Sequence, residues 1–82
     1  MSPKPKRLSG AEVVTIFRRH GFRLESQRGS HAKLVRTSSS GSREILTVPM
    51  HREMDVGTLH AIIRQANRFI AEDELRPQFF TD

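Results

Sequence analysis

His20–Arg36 reads HGFRLESQRGSHAKLVR, and the way this stretch pairs with itself decides the fold. Gly21 supplies a left-handed residue that ends the helix before it. From Phe22 the side chains take a period of two, with Phe22, Leu24 and Ser26 on one side and Arg23, Glu25 and Gln27 on the other. Gly29-Ser30 interrupts the run, and HAKLVR then alternates again. Ala32 and Leu34 share one face, while His31, Lys33 and Val35 take the opposite one. Two such runs around a Gly-Ser turn predict a pair of antiparallel strands.

Upstream, LSGAEV is a strong helix start. Ser9 caps it, Glu12 three residues on completes a capping box, and Leu8 is placed to staple onto Val13. Val13, Ile16 and Phe17 then fall on one helical face. Phe22, just past Gly21, is positioned to touch Phe17 in the contact that accompanies a Schellman cap. Downstream, TSSSGS predicts a flexible loop and REILTV a third strand, stopped at Pro49, which cannot donate to a ladder. Asp55 is placed to cap a second helix carrying Leu59, Ile62, Ile63 and Ala66. That helix ends at Asn67 in a left-handed conformation or runs on through Ile70. The order is α-β-β-β-α, an α+β fold whose two helices cover one face of a three-stranded antiparallel sheet. Three segments are expected: a disordered basic arm over 1–7, the folded domain over 8–70, and an acidic tail over 71–82 that stops at Pro77 any helical turn it forms.

The chain has 82 residues and no cysteine, which excludes a disulfide framework and a thiolate metal site. A hydrophobic share of 35% makes a thin core for one small domain. No stretch resembles a transmembrane segment, and the basic start MSPKPKR lacks the apolar region of a secretory signal, so a cytoplasmic protein is the expectation. Residues 1–50 hold ten Lys and Arg against three acids, whereas residues 51–82 hold four against six. The positive excess therefore sits with the first helix and the strands, where a polyanion would dock.

A sheet this small has one core face, so Ala32 and Leu34 point to the helices and His31 and Lys33 to solvent. His31 is then either idle on the surface or placed to meet a ligand. Familiar templates fail. Ser30 and His31 are adjacent and diverge on a strand, no phosphate loop is present, and His20, His31, His51 and His60 are scattered without metal-ligand spacing. One reaction fits a histidine among cations without metal or cofactor: cleavage of RNA by its own 2′-hydroxyl. A side chain that titrates near pH ~6.5 suits acid or base duty. Lys33, Arg28 and Arg36 are candidates for stabilising the phosphorane. His51, in VPMHR after the third strand, either hangs over the same face or belongs to a polar loop.

Leu8-Ser9-Gly10, HGF at 20–22, QRGSH at 27–31, VPMH at 48–51 and GTLHAIIRQA at 57–66, in this order, resemble the HicA toxin family over roughly residues 8–67. The resemblance implies a double-stranded-RNA-binding-like fold. It also implies the toxin of a toxin–antitoxin pair, a ribonuclease that cuts mRNA, arrests translation and is neutralised by a HicB-type antitoxin. The histidine of Gly-Ser-His is that family's catalytic residue, which assigns His31, with Gly29 and Ser30 as the turn that sets it. Arg28, Lys33, Arg36 and His51 are assigned as RNA contacts from position and charge alone. Neither a metal, a cofactor nor a membrane is expected. The competing reading is a module that grips duplex RNA without cutting it, which needs the cations but has no use for His31.

Overall fold

The computed structural model describes residues 4–81. The elements run β1 (Lys4–Pro5), α1 (Gly10–Arg19), β2 (Arg23–Arg28), β3 (His31–Thr37), β4 (Arg43–Pro49), α2 (Val56–Ala66), α3 (Glu72–Phe79) and β5 (Phe80–Thr81). Strands β2-β3-β4 form the antiparallel sheet, with β3 central. The α-β-β-β-α order and the double-stranded-RNA-binding-like architecture are as the sequence predicts, with a further helix and a small second sheet added.

Local signals set the first helix. The Ser9 hydroxyl accepts the Glu12 N–H at 3.1 Å, and a Glu12 carboxylate oxygen accepts the Ser9 N–H at 2.9 Å, closing the capping box. At the other end Gly21 has φ +89°, the Phe22 N–H donates to the Phe17 carbonyl, and the Gly21 N–H donates to that of Arg18. That is a complete Schellman cap, with the Phe17 and Phe22 rings 6.1 Å apart. Helix α2 starts at Asp55, whose side chain accepts the Thr58 N–H at 2.7 Å. Its end matches neither expectation. Asn67 is right-handed, with φ −62°, and the chain turns tightly as the Phe69 and Ile70 N–H groups both donate to the Ala66 carbonyl.

Val13, Phe17, Leu34, Leu46, Val48, Leu59, Ile62 and Ala66 fill the space between α1, α2 and the sheet. The serine loop is more ordered than its composition suggests. Ser38 donates to the Ser42 carbonyl, Gly41 at φ +88° donates to that of Ser38, and the serine hydroxyls link to one another. Strand β4 has its outer edge capped at Thr47 by a side chain. The Gln65 amide accepts the Thr47 N–H at 2.9 Å and donates to the Thr47 carbonyl at 3.3 Å.

Both ends of the chain depart from expectation. The arm predicted over 1–7 lies partly outside the described residues; within them, Lys4–Pro5 pair antiparallel with Phe80–Thr81, and the Lys6 N–H donates to the Phe79 carbonyl. The acidic tail is no loose tail either. It forms α3, which passes through Pro77 to Phe79 and buries Leu75 and Phe79 in the core. Pro77 removes the hydrogen bond to the Asp73 carbonyl. Phe79 anchors the turn beyond it, its ring 5.9 Å from Phe17, and so the helix continues.

Arg36 also differs. It follows Ala32 and Leu34 on the helix-facing side of β3, away from His31, where its guanidinium is a clamp rather than an RNA contact. It donates to the Glu44 carboxylate at 2.7 Å, to the His20 carbonyl at 2.8 Å and to the Phe69 carbonyl at 2.9 Å, and it lies over the Phe22 ring. One side chain thus ties the ends of both helices to the sheet. Arg36→Ala leaves Glu44 and two carbonyls without that partner, so a loss of about 2–4 kcal/mol is expected in urea unfolding. RNA affinity, corrected for the folded fraction, should not change; a specific loss of binding would restore Arg36 to the RNA surface.

Candidate active site on the open face of the sheet

The face of the sheet opposite the helices is shaped by an irregularity in β2. Leu24 pairs with Leu34, but Ser26 pairs with Lys33, so Glu25 is an extra residue in the ladder. Such a bulge shifts the period by one and re-aims the side chains beyond it. Ser26 and Arg28 therefore join Lys33 and His31 on the open face, and Gln27 turns to the helix side opposite Ala32. This reverses the sides read from simple alternation. Without the bulge Arg28 would point away from His31; with it, Arg28 and His31 are direct cross-strand partners. Leu24 remains on the helix side, yet at the sheet's edge it is 44% exposed.

The pair Arg28–His31 closes a two-residue turn. Gly29 has φ +56°, and no residue other than glycine has a positive φ among the described residues. A positive φ at the first turn position alone is the type II′ pattern, whose twist matches that of the flanking strands. Space is not what demands glycine here, because a Cβ on Gly29 would meet nothing within 4 Å. The backbone angle demands it.

Three separated segments meet beside this turn. The Met50 N–H donates to the Ser30 carbonyl, the Gly10 N–H to the His51 carbonyl, and the Met54 N–H to the Leu8 carbonyl. A Cβ on Gly10 would stand 2.6 Å from both the Met50 Cα and the Pro49 carbonyl oxygen, so the start of α1 approaches this loop only as glycine. The turn carrying His31 is thus braced from behind by the Pro49–His51 loop, and that loop by the start of α1.

His31 is exposed and lines a shallow depression of about 230 Å³ with Ser26, Arg28, Ala32, Lys33 and Thr47. Alternation in β2 puts Ser26 on the other side; in β4 it does set Thr47 on the face opposite Leu46 and Val48, but an uncharged side chain was not singled out. His51 is not in that lining. Its backbone holds α1, and its charge is felt by Asp55. The Asp55 carboxyl is held below its ordinary range by the Thr58 hydrogen bonds first and by His51 after them. Of the other histidines, His20 meets the Gln78 amide at 2.8 Å and His60 lies tilted against the Phe80 ring, and no metal-holding group of three is present among the described residues. Roomier hollows flank Lys6 and Pro77 on the α3 side of the molecule. They do not include His31.

A family model described as the HicA toxin of bacterial toxin–antitoxin pairs matches residues 10–67. The chain belongs to the HicA toxin family. No curated protein and no solved structure matches it. The HicA match contains the Gly29-Ser30-His31 turn, the loop that braces it and all three strands of the main sheet. It leaves out β1, α3 and β5, so the pairing of the two chain ends is built outside the HicA match. As a HicA toxin the chain has an antitoxin for a partner. No helix among the described residues is long and apolar enough to cross a membrane.

Proposed function

We propose that this HicA toxin is a metal-independent endoribonuclease that cuts mRNA in the cytoplasm and thereby arrests translation, with His31 transferring the proton and a HicB-type antitoxin covering the open face. The observation that carries the reading is the cross-strand pairing of His31 with Arg28 on an exposed face that also presents Lys33. In the reaction the 2′-oxygen attacks the adjacent phosphorus while the bond from phosphorus to the 5′-oxygen breaks. His31 takes the 2′-hydroxyl proton or delivers one to the leaving oxygen, and water or a second group performs the other transfer. Arg28 and Lys33 stabilise the charge that builds on the phosphorane. His51, standing beside Asp55, is proposed as an outer RNA contact. Gly29 and Ser30 hold the histidine at the end of the hairpin.

The test is to incubate purified toxin with a long single-stranded RNA in EDTA. Products ending in a 2′,3′-cyclic phosphate and a 5′-hydroxyl are expected, with no cutting of the same strand methylated at its 2′-oxygens. Cutting of the methylated strand would remove the 2′-hydroxyl from the mechanism. Binding without cutting of either strand would make the chain an RNA-binding module.

A further inference from the structure

Glu25 has no role in the reaction just described, yet it sits on the face assigned to phosphate. Alternation from Leu24 already puts it there, and the bulge brings Ser26 and Arg28 to the same face. One Arg43 guanidinium nitrogen bonds both of its carboxylate oxygens, the longer contact at 2.6 Å, and the Lys33 ammonium lies 3.6 Å away. All three side chains are open to solvent, at 35% exposure for Glu25, 44% for Lys33 and 56% for Arg43. Burial pushes the Glu25 carboxyl up, but the hydrogen bond and charge of Arg43, then the charge of Lys33, bring it below its ordinary range. It is therefore an anion throughout the neutral region. Arg28, by contrast, makes no ion pair among the described residues.

A phosphate approaching Lys33 or Arg43 meets cations that already hold a carboxylate. It must displace Glu25 or bind beside a like charge, and either outcome weakens the contact. The same phosphate meets no such competitor at Arg28. Resting on the ribonuclease reading above, we propose that Glu25 is a built-in counter-ion of the RNA face, which competes with the RNA backbone for Lys33 and Arg43 and so lowers affinity and favours the Arg28–His31 end. Glu25 then limits how tightly the toxin holds any RNA, and because Lys33 is also assigned to the phosphorane, the effect is read on binding, where it is separated from cleavage.

The experiment measures binding of a labelled single-stranded RNA to the full chain carrying His31→Ala, so that cleavage does not interfere, with salt varied from about 50 to about 200 mM. Added Glu25→Gln keeps the side-chain length and is expected to tighten binding about tenfold at the low-salt end, where exposed charges are least screened. It should also steepen the salt dependence by about 0.7 in the log–log slope for each further phosphate that the freed cations neutralise. In the same series Lys33→Gln should weaken binding more when Glu25 is already Gln than when it is Glu, because only then is Lys33 free. Glu25→Thr, which suits a strand, replaces Glu25→Gln if that variant does not fold. Unchanged or weaker binding, with an unchanged slope, overturns the proposal. Arg28→Ala separates the two failures. If it weakens binding while Glu25→Gln does nothing, only the counter-ion idea falls; if neither matters, the RNA face is misassigned and the proposal falls with it.

Discussion

His31→Ala is expected to abolish RNA cleavage, a fall of about 10²- to 10⁴-fold or more, while leaving thermal stability and RNA affinity nearly as they were. The expectation comes from where the side chain sits. His31 is exposed at the first position of β3, and its side chain makes no hydrogen bond or ion pair among the described residues. Surface replacements of that kind usually change stability by less than about 0.5 kcal/mol. The backbone that carries it is held independently, by the type II′ turn and by the Met50 N–H on the Ser30 carbonyl. Removing the imidazole therefore removes a proton carrier and little else. Cleavage rate, melting temperature and RNA affinity should be measured on the same preparation. His51→Ala belongs beside it and should cost far less, since that ring lies outside the lining of the depression. A His31→Ala protein that cuts at the wild-type rate would end the catalytic assignment.

Phe79→Ala is expected to cost about 3–5 kcal/mol, a large part of the 5–15 kcal/mol typical of a whole domain. Phe79 has no exposed surface, and its ring packs at 43° to that of Phe17, itself fully buried in the last turn of α1. Its carbonyl accepts the Lys6 N–H, so the residue joins the C-terminal helix to both the core and the N-terminal strand. The cavity left behind is walled by α1 and α3, which the Schellman cap and the β1–β5 pairing keep from closing over it. Urea unfolding followed by circular dichroism measures the effect as a lowered midpoint with an unchanged slope. A loss below about 1 kcal/mol would mean that the segment after Asn67 is packed loosely onto a domain complete without it.

These two residues also mark how far the sequence can be read. His31 was legible because everything that places it is local: a glycine at a turn, a period of two, one face obliged to be the core. The capping box at Ser9 and Glu12 and the cap at Gly21 were legible for the same reason. Phe79 was not, because Pro77 and three acids in a row argue locally for a tail, and only contact with Phe17 overrides them. Arg36 misled through its charge. Its position two residues after Leu34 already put it on the helix side, but nothing local announces that two helix ends offer it carbonyls. The bulge at Glu25 has no sequence signature of its own. It exists because Leu24 pairs with Leu34 while Arg28 pairs with His31, and one strand has a residue to spare between those constraints.

The Gln65 side chain on Thr47 bears on how the molecule behaves in a crowd. A short sheet with two bare edges is a template on which further copies add strand by strand. Here one edge is capped at Thr47 by an amide that offers the donor and acceptor a neighbouring strand would bring there. The other edge, β2, carries Arg23, Glu25 and Arg28 and is kinked at Glu25, so it presents no flat row for docking. Gln65→Leu would free the Thr47 N–H and carbonyl at that edge without touching His31, and more self-association is expected at high concentration, read by light scattering. A single side-chain amide thus interrupts the far edge of the sheet at Thr47, where a neighbouring strand would pair.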